Sequence, residues 1–135
     1  MSGTALAQAA RELIGVRFRL HGRDPATGLD CIGLLEASLA RLGRAVRLPG
    51  GYRLHLASLD GWLPDVAACG FANGTLPVEP GDIVLLQPAT GQFHLAIAGT
   101  GVEWIHAHAG LRRVVATPEI PAGPILHHWR LRPAS

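Results

Sequence analysis

The chain has 135 residues, of which 48% are apolar and 16% charged, and its formal net charge is +2. This size and balance fit one globular domain over residues 1–135 with its own core, and they exclude a disordered chain. The small net charge gives no footing for nucleic-acid binding, and the longest apolar runs, such as residues 83–86, are far too short to span a membrane.

In chain order, Ala5, Leu6, Ala9, Ala10 and Leu13 recur at helical spacing, which predicts a helix over residues 4–14 with Gly15 as its stop. The segment holds Arg11 and Glu12, so it is not the unbroken apolar stretch of a signal peptide. Residues 16–29 are rich in Arg, Gly, Asp and Pro and read as a loop. Arg17, Arg19 and Arg23 cluster there, either as solvated charges or to meet an anionic substrate. Asp30 is a good N-cap for a helix marked by Ile32, Leu35, Leu39 and Leu42 and ending near Gly43. Its Ala- and Leu-rich composition predicts the buried central helix. Pro49-Gly50-Gly51 reads as a turn, and residues 63–68 as a short helix with Pro64 in its first turn. The pattern then changes to strands at 82–87, 93–98, 102–106, 112–117 and 125–131, joined by Gly- or Pro-bearing connections. Helices first and about five antiparallel strands after predict an α+β fold.

Cys31 stands where a glycine-bearing loop enters the central helix. A thiol there meets the positive end of the helix dipole, which favours the nucleophilic thiolate and lowers the expected pKa below the roughly 8.5 of a free thiol. First-turn amides can hold an oxyanion next to the sulfur. The bland alternative is an inert buried cysteine. His94 lies on one expected strand and His106 on the next, after the tight Gly99-Thr100-Gly101 connection. A base beside the thiol and a third group that orients it are what cysteine nucleophilic catalysis needs. His94 is the candidate base and His106 the candidate orienter. His108 shares the face of His106 by the strand period of two and competes for the third role. His106 and His108 as metal ligands would need a further ligand at matching spacing, which the sequence lacks, so no metal or other cofactor is expected. The adjacent pair His127-His128 reads as structural, and His21 and His55 fall in loops. Cys69 reads as a buried helix residue, with a Cys31–Cys69 disulfide as the other possibility. Trp62, Trp104 and Trp129 read as core or cleft walls.

Five fragments, in order, resemble the NlpC-type cell-wall peptidases, which are papain-like cysteine peptidases. Ile14-Gly15-Val16-Arg17-Phe18 with Gly22 resembles the loop before the nucleophile, and Gly28-Leu29-Asp30-Cys31-Ile32-Gly33-Leu34 the nucleophile motif. Val78-Glu79-Pro80-Gly81-Asp82-Ile83-Val84 resembles the turn that opens the sheet, His94-Leu95-Ala96-Ile97 the strand of the base, and Trp104-Ile105-His106-Ala107 the strand of the third residue. The resemblance implies a papain-like fold, with the nucleophile at a helix N-terminus packed on the sheet. It also implies a peptidase in which Cys31 attacks an amide carbonyl, His94 takes its proton, His106 orients His94, and a thioester is hydrolysed. The implied substrate is a peptidoglycan stem peptide, cut between γ-D-glutamate and the following diamino acid. Asp30, Phe18 and Ile32 are the implied substrate-binding positions. Asp30 would meet a substrate amine, while Phe18 replaces the usual tyrosine and Ile32 the usual serine. Leu20-His21-Gly22 replaces a tryptophan-glycine-glycine segment.

With Gly22-Arg23-Asp24-Pro25-Ala26-Thr27-Gly28 before the motif and no leader, the chain is most similar to the branch found with phage tails and gene transfer agents. That implies synthesis in the cytoplasm and action at the wall as part of a phage-like particle, beside tail proteins, or after lysis. Two other readings stay open. One is a structural tail-tip module of the same fold, and the other a related thiol amidase or acyltransferase.

Overall fold

The computed structural model describes residues 2–44, 46, 48, 63–90, 92–101 and 103–132. The turn at 49–51, His55, Trp62 and the strand start at Val102 lie outside the described residues. Helix α1, Ser2–Arg11, begins and ends earlier than its apolar spacing predicts. Leu13 is still buried, because the chain continues inward through a turn before Gly15 (φ 94°), whose N–H donates to the Val114 carbonyl at 2.9 Å. The stretch read as a loop instead holds a small hairpin, β1 Arg23–Asp24 with β2 Gly28–Leu29. Single-bridge pairings also tie Arg17 to Arg113 and Phe18 to Leu29.

Helix α2, Cys31–Ala40, starts where Asp30 predicts: the Asp30 Oδ1 accepts from the Gly33 N–H at 2.8 Å. Eight of its ten residues are buried. A helix apolar all round must be covered all round, and α1, the sheet and the residue 19–22 loop cover it. Gly22 and Gly33 make that closure possible. A Cβ on Gly33 would collide with the Gly22 carbonyl, and one on Gly22 with the Gly28 carbonyl. Helix α3, Leu63–Ala68, agrees with expectation. Cys69 lies in the turn after it, half-buried, and no disulfide joins it to Cys31.

One six-stranded antiparallel sheet follows, formed by β3 Phe71–Asn73, β4 Ile83–Ala89, β5 Gln92–Ala98, β6 Trp104–His108, β7 Arg113–Thr117 and β8 Ile125–Leu131. Its order is β3-β8-β4-β5-β6-β7. The short edge strand β3 is the sixth that sequence periodicity misses; three residues carry too little alternation to be seen. The last strand inserts between β3 and β4, with Trp129 opposite Ile83 and Asn73. Alternation splits the sheet into two faces. Ile83, Leu85, Leu95, Ile97, Ile105 and Trp129 join the core with Leu6, Leu34, Leu35 and Leu39. Val84, Leu86, Ala96, Ala98 and Trp104 pack together separately. The architecture is the expected α+β one. Among the described residues no helix is long and apolar enough to cross a membrane.

Candidate active site

Cys31, His94 and His106 line one cavity of about 470 Å³ together with Phe18, Asp30 and His108. That volume falls in the range of small-ligand sites, roughly 300–1,000 Å³. Its walls are mainly apolar, from Phe18, Leu20, Pro88, Phe93 and Pro121, and Leu20 is 62% exposed at the rim.

Cys31 is the first residue of α2 and half-buried. Its sulfur accepts from the backbone N–H groups of Leu95 and Ile32. The dipole argument nevertheless fails for the resting thiol, whose pKa is pushed up to about 11. Burial is the main cause and the Asp30 charge the second. The two amides and Arg23 pull the other way without winning. Cys31 therefore rests as a neutral thiol at pH 7. Its alkylation by iodoacetamide is expected to rise with pH to a midpoint near 11. A midpoint at or below the free-thiol value of roughly 8.5 would contradict this account of the pocket.

His94 and His106 meet across β5 and β6. His94 Nε2 lies 3.0 Å from His106 Nδ1, the rings edge-to-face. Burial, then the charges of His106 and His108, lowers the His94 pKa to about 4. Burial, then His108, lowers that of His106 to about 4 as well. Both are neutral imidazoles at pH 7, so His94 is free to accept a proton.

The tautomers follow from the far end of the chain. The Thr117 hydroxyl donates to the Glu119 carbonyl at 3.0 Å. A hydroxyl has one proton, so the 3.3 Å contact between Thr117 Oγ1 and His106 Nε2 has the imidazole as donor. His106 then carries its proton on Nε2, and its bare Nδ1 accepts from His94 Nε2–H. His94 Nδ1 is left with a lone pair for the thiol proton. Thr117 is thus a positioning residue that motif and periodicity miss, because its partner sits 11 residues away on another strand. Thr117→Val is expected to cost about 1 kcal/mol of transition-state stabilisation, which is roughly 5- to 10-fold in kcat with KM little changed. Thr117→Ser should restore the rate. An unaltered kcat in Thr117→Val would remove the relay.

The other expected positions separate. The contact with His94 is made by His106, whereas His108 Nδ1 accepts from the Leu111 N–H at 3.0 Å. Phe18 lines the cavity as expected. Asp30 borders it but is only 6% exposed, and both carboxylate oxygens are engaged, Oδ1 by Gly33 N–H and Oδ2 by His21 N–H at 3.0 Å. It clasps the loop to the helix start. Ile32 is fully buried in the main core and does not line the cavity, because the helix turn carries it inward. It is not placed to bind substrate. Arg23 leaves the expected cationic cluster for an ion pair with Glu36 at 2.8 Å. The His127 ring stacks near Trp129 and bonds Asn73, and His128 bonds Asp82, so both are structural. Among the described residues no group of three or more His, Cys, Asp or Glu is arranged to hold a metal ion.

No family model matches the chain. Protein P54 of Enterococcus faecium is 27% identical over 108 residues, which is 79% of this chain but only 18% of that protein. The NlpC/p60 domain of the peptidoglycan hydrolase SagA is 25% identical, with a TM-score of 0.58, over 86% of this chain and 88% of that one. NlpC1 of Trichomonas vaginalis superposes with a TM-score of 0.67 at 17% identity, over 96% of this chain and 45% of that one. The peptidoglycan hydrolase RipB of Mycobacterium tuberculosis gives a TM-score of 0.61 at 18% identity, over 95% and 63%. The α+β fold built above, with Cys31 opening its central helix against an antiparallel sheet, is the NlpC/P60 fold.

Proposed function

We propose that the chain is a cysteine peptidase that hydrolyses an amide bond of a peptidoglycan stem peptide through a thioester. The observation that carries this reading is a thiol at a helix start sharing a cavity with a hydrogen-bonded imidazole pair whose outer member has a bare Nδ1. In the first step, His94 Nδ1 takes the Cys31 proton as the sulfur attacks the carbonyl carbon. The resting thiol is neutral, so the proton moves with the attack rather than before it. We assign the oxyanion to the Cys31 N–H, the first-turn amide of α2 that Asp30 and the sulfur leave open among the described residues. The imidazolium, held by His106, then gives its proton to the leaving nitrogen, and the C–N bond breaks. In the second half water attacks the thioester, His94 takes its proton, and the thiol leaves with that proton restored.

Support for the substrate comes from the likeness to SagA's domain, described as part of a peptidoglycan hydrolase, and from the motif order. The bond we assign is that between γ-D-glutamate and the diamino acid. The route to the wall that we assign, within a phage-like particle beside tail proteins or after lysis, rests on the resemblance of residues 22–28. The apolar walls at Phe18, Leu20, Phe93 and Pro121 favour one second reading, a thiol amidase for a more apolar amide. Mass analysis of purified peptidoglycan fragments after incubation separates the two. New termini at γ-D-glutamate support the first, and intact fragments would overturn it.

A further inference from the structure

Arg17 and Arg113 pair across an isolated antiparallel bridge. The flanking bonds run from Phe18 N–H to the Arg112 carbonyl at 2.9 Å and from Val114 N–H to the Val16 carbonyl at 2.8 Å. Bonds placed one residue outside the pair on each side make it the non-hydrogen-bonded kind, with Cα atoms roughly 4.5 Å apart. Side chains so paired leave the same face at close range, and like charges there destabilise a sheet. Both arginines are exposed. Among the described residues, neither has a carboxylate partner, whereas Arg11, Arg23, Arg41 and Arg130 each have one. Folding alone thus gives no return for placing the two cations together.

Their position supplies a reason. Arg113 is in register with His108, and His108 lines the cavity that holds Cys31. Residues in register share a face, so His108, Arg113 and Arg17 form a row leading out of the cavity at about 4.8 Å per strand. The row is fixed at its inner end, because Leu111 N–H holds the His108 ring. Two adjacent guanidiniums, with five N–H donors each, suit one carboxylate.

We propose that Arg17 and Arg113 form an anion subsite of the cleft that binds a substrate carboxylate beyond His108. The inference rests on the hydrolase reading for the identity of that substrate: a glutamate linked through its γ-carboxyl keeps its α-carboxylate free beside the reacting bond.

The test uses Cys31→Ala protein in low-salt chloride buffer and two γ-D-glutamyl-diamino acid peptides, one with a free α-carboxylate and one with that group as its amide. Isothermal titration gives both Kd values. The free carboxylate is expected to bind about 10-fold more tightly or better, with the preference shrinking as salt rises. Adding Arg17→Gln and Arg113→Gln should bring it to the level of the amide, and Arg17→Gln alone part of the way. Equal Kd values for the two peptides, no binding of either, or a preference that survives the double replacement would overturn the subsite. Wild-type protein that cuts neither peptide, beside a preference that depends on the arginines, would strike down the hydrolase reading and leave the subsite standing.

Discussion

Cys31→Ala is expected to abolish peptide hydrolysis while the protein stays folded. The sulfur is the only atom proposed to bond to the substrate, so no neighbour can take its place. Removing a nucleophile from such a unit costs on the order of 10⁴-fold or more in kcat, and further losses in the same unit add little. His94→Ala should therefore lower the rate steeply alone but have almost no effect in the Cys31→Ala background. The fold has little stake in the thiol. Alanine is the best helix former, and the cap that starts α2 is made by Asp30 and Gly33, which the substitution leaves in place. The change is checked by initial rates beside an unfolding curve. A variant within 10-fold of wild type would remove Cys31 from the chemistry. A variant that is inactive and unfolded would be replaced by Cys31→Ser, which keeps a polar atom near the Leu95 and Ile32 amides.

Asp82→Ala is expected to be the most costly substitution for stability. Asp82 is fully buried at the start of β4. Its carboxylate accepts from Arg130 Nε at 2.9 Å, from the Glu79 N–H at 3.0 Å and from His128 Nε2 at 2.6 Å. Arg130 in turn reaches the Thr75 and Pro77 carbonyls, so one buried charge organises the loop before the sheet. Removing one member of a buried pair typically costs about 3–5 kcal/mol. Arg130 is partly solvated and can recover some hydration, which points to the lower end, about 3 kcal/mol.

The pH dependence has a definite sign. Burial alone would raise the Asp82 pKa, but the bonds from Arg130, Glu79 and His128, and then the Arg130 charge, bring it below the ordinary carboxylate value. A depressed folded pKa gives stability that is fully present above the unfolded value of roughly 3.9 and is lost as pH falls through the folded one. The gap between wild type and Asp82→Ala should be full at pH 7 and close in acid, below about pH 4. Urea unfolding at pH 7 and pH 3 reads both. Equal midpoints at pH 7 would contradict the network.

The features legible in the sequence were those carried by local chemistry. Asp30 marked the helix start, the Ala- and Leu-rich run marked the buried helix, and the strand histidines marked the candidate site. What escaped depends on distant partners. Thr117 sets a tautomer only because β7 lies beside β6. Glu36 looks like an exposed helix charge, yet it is buried, holding Arg23 and the Leu48 N–H. Asp30 and Ile32 adjoin the nucleophile in sequence, but a helix start turns one into a clasp and the other into core. The sign of the Cys31 shift was also beyond local reading, since the dipole is a property of the helix whereas the opposing burial comes from the assembled cavity.

The most direct test of a thiol mechanism is mass spectrometry of the Cys31-bearing fragment from wild-type protein quenched in acid during turnover of a stem peptide. An adduct on Cys31 equal to the acyl half of the substrate is expected, removable by hydroxylamine as a thioester is. Turnover with Cys31 unacylated at every quench time, together with equal cleavage by Cys31→Ala protein, would contradict the mechanism.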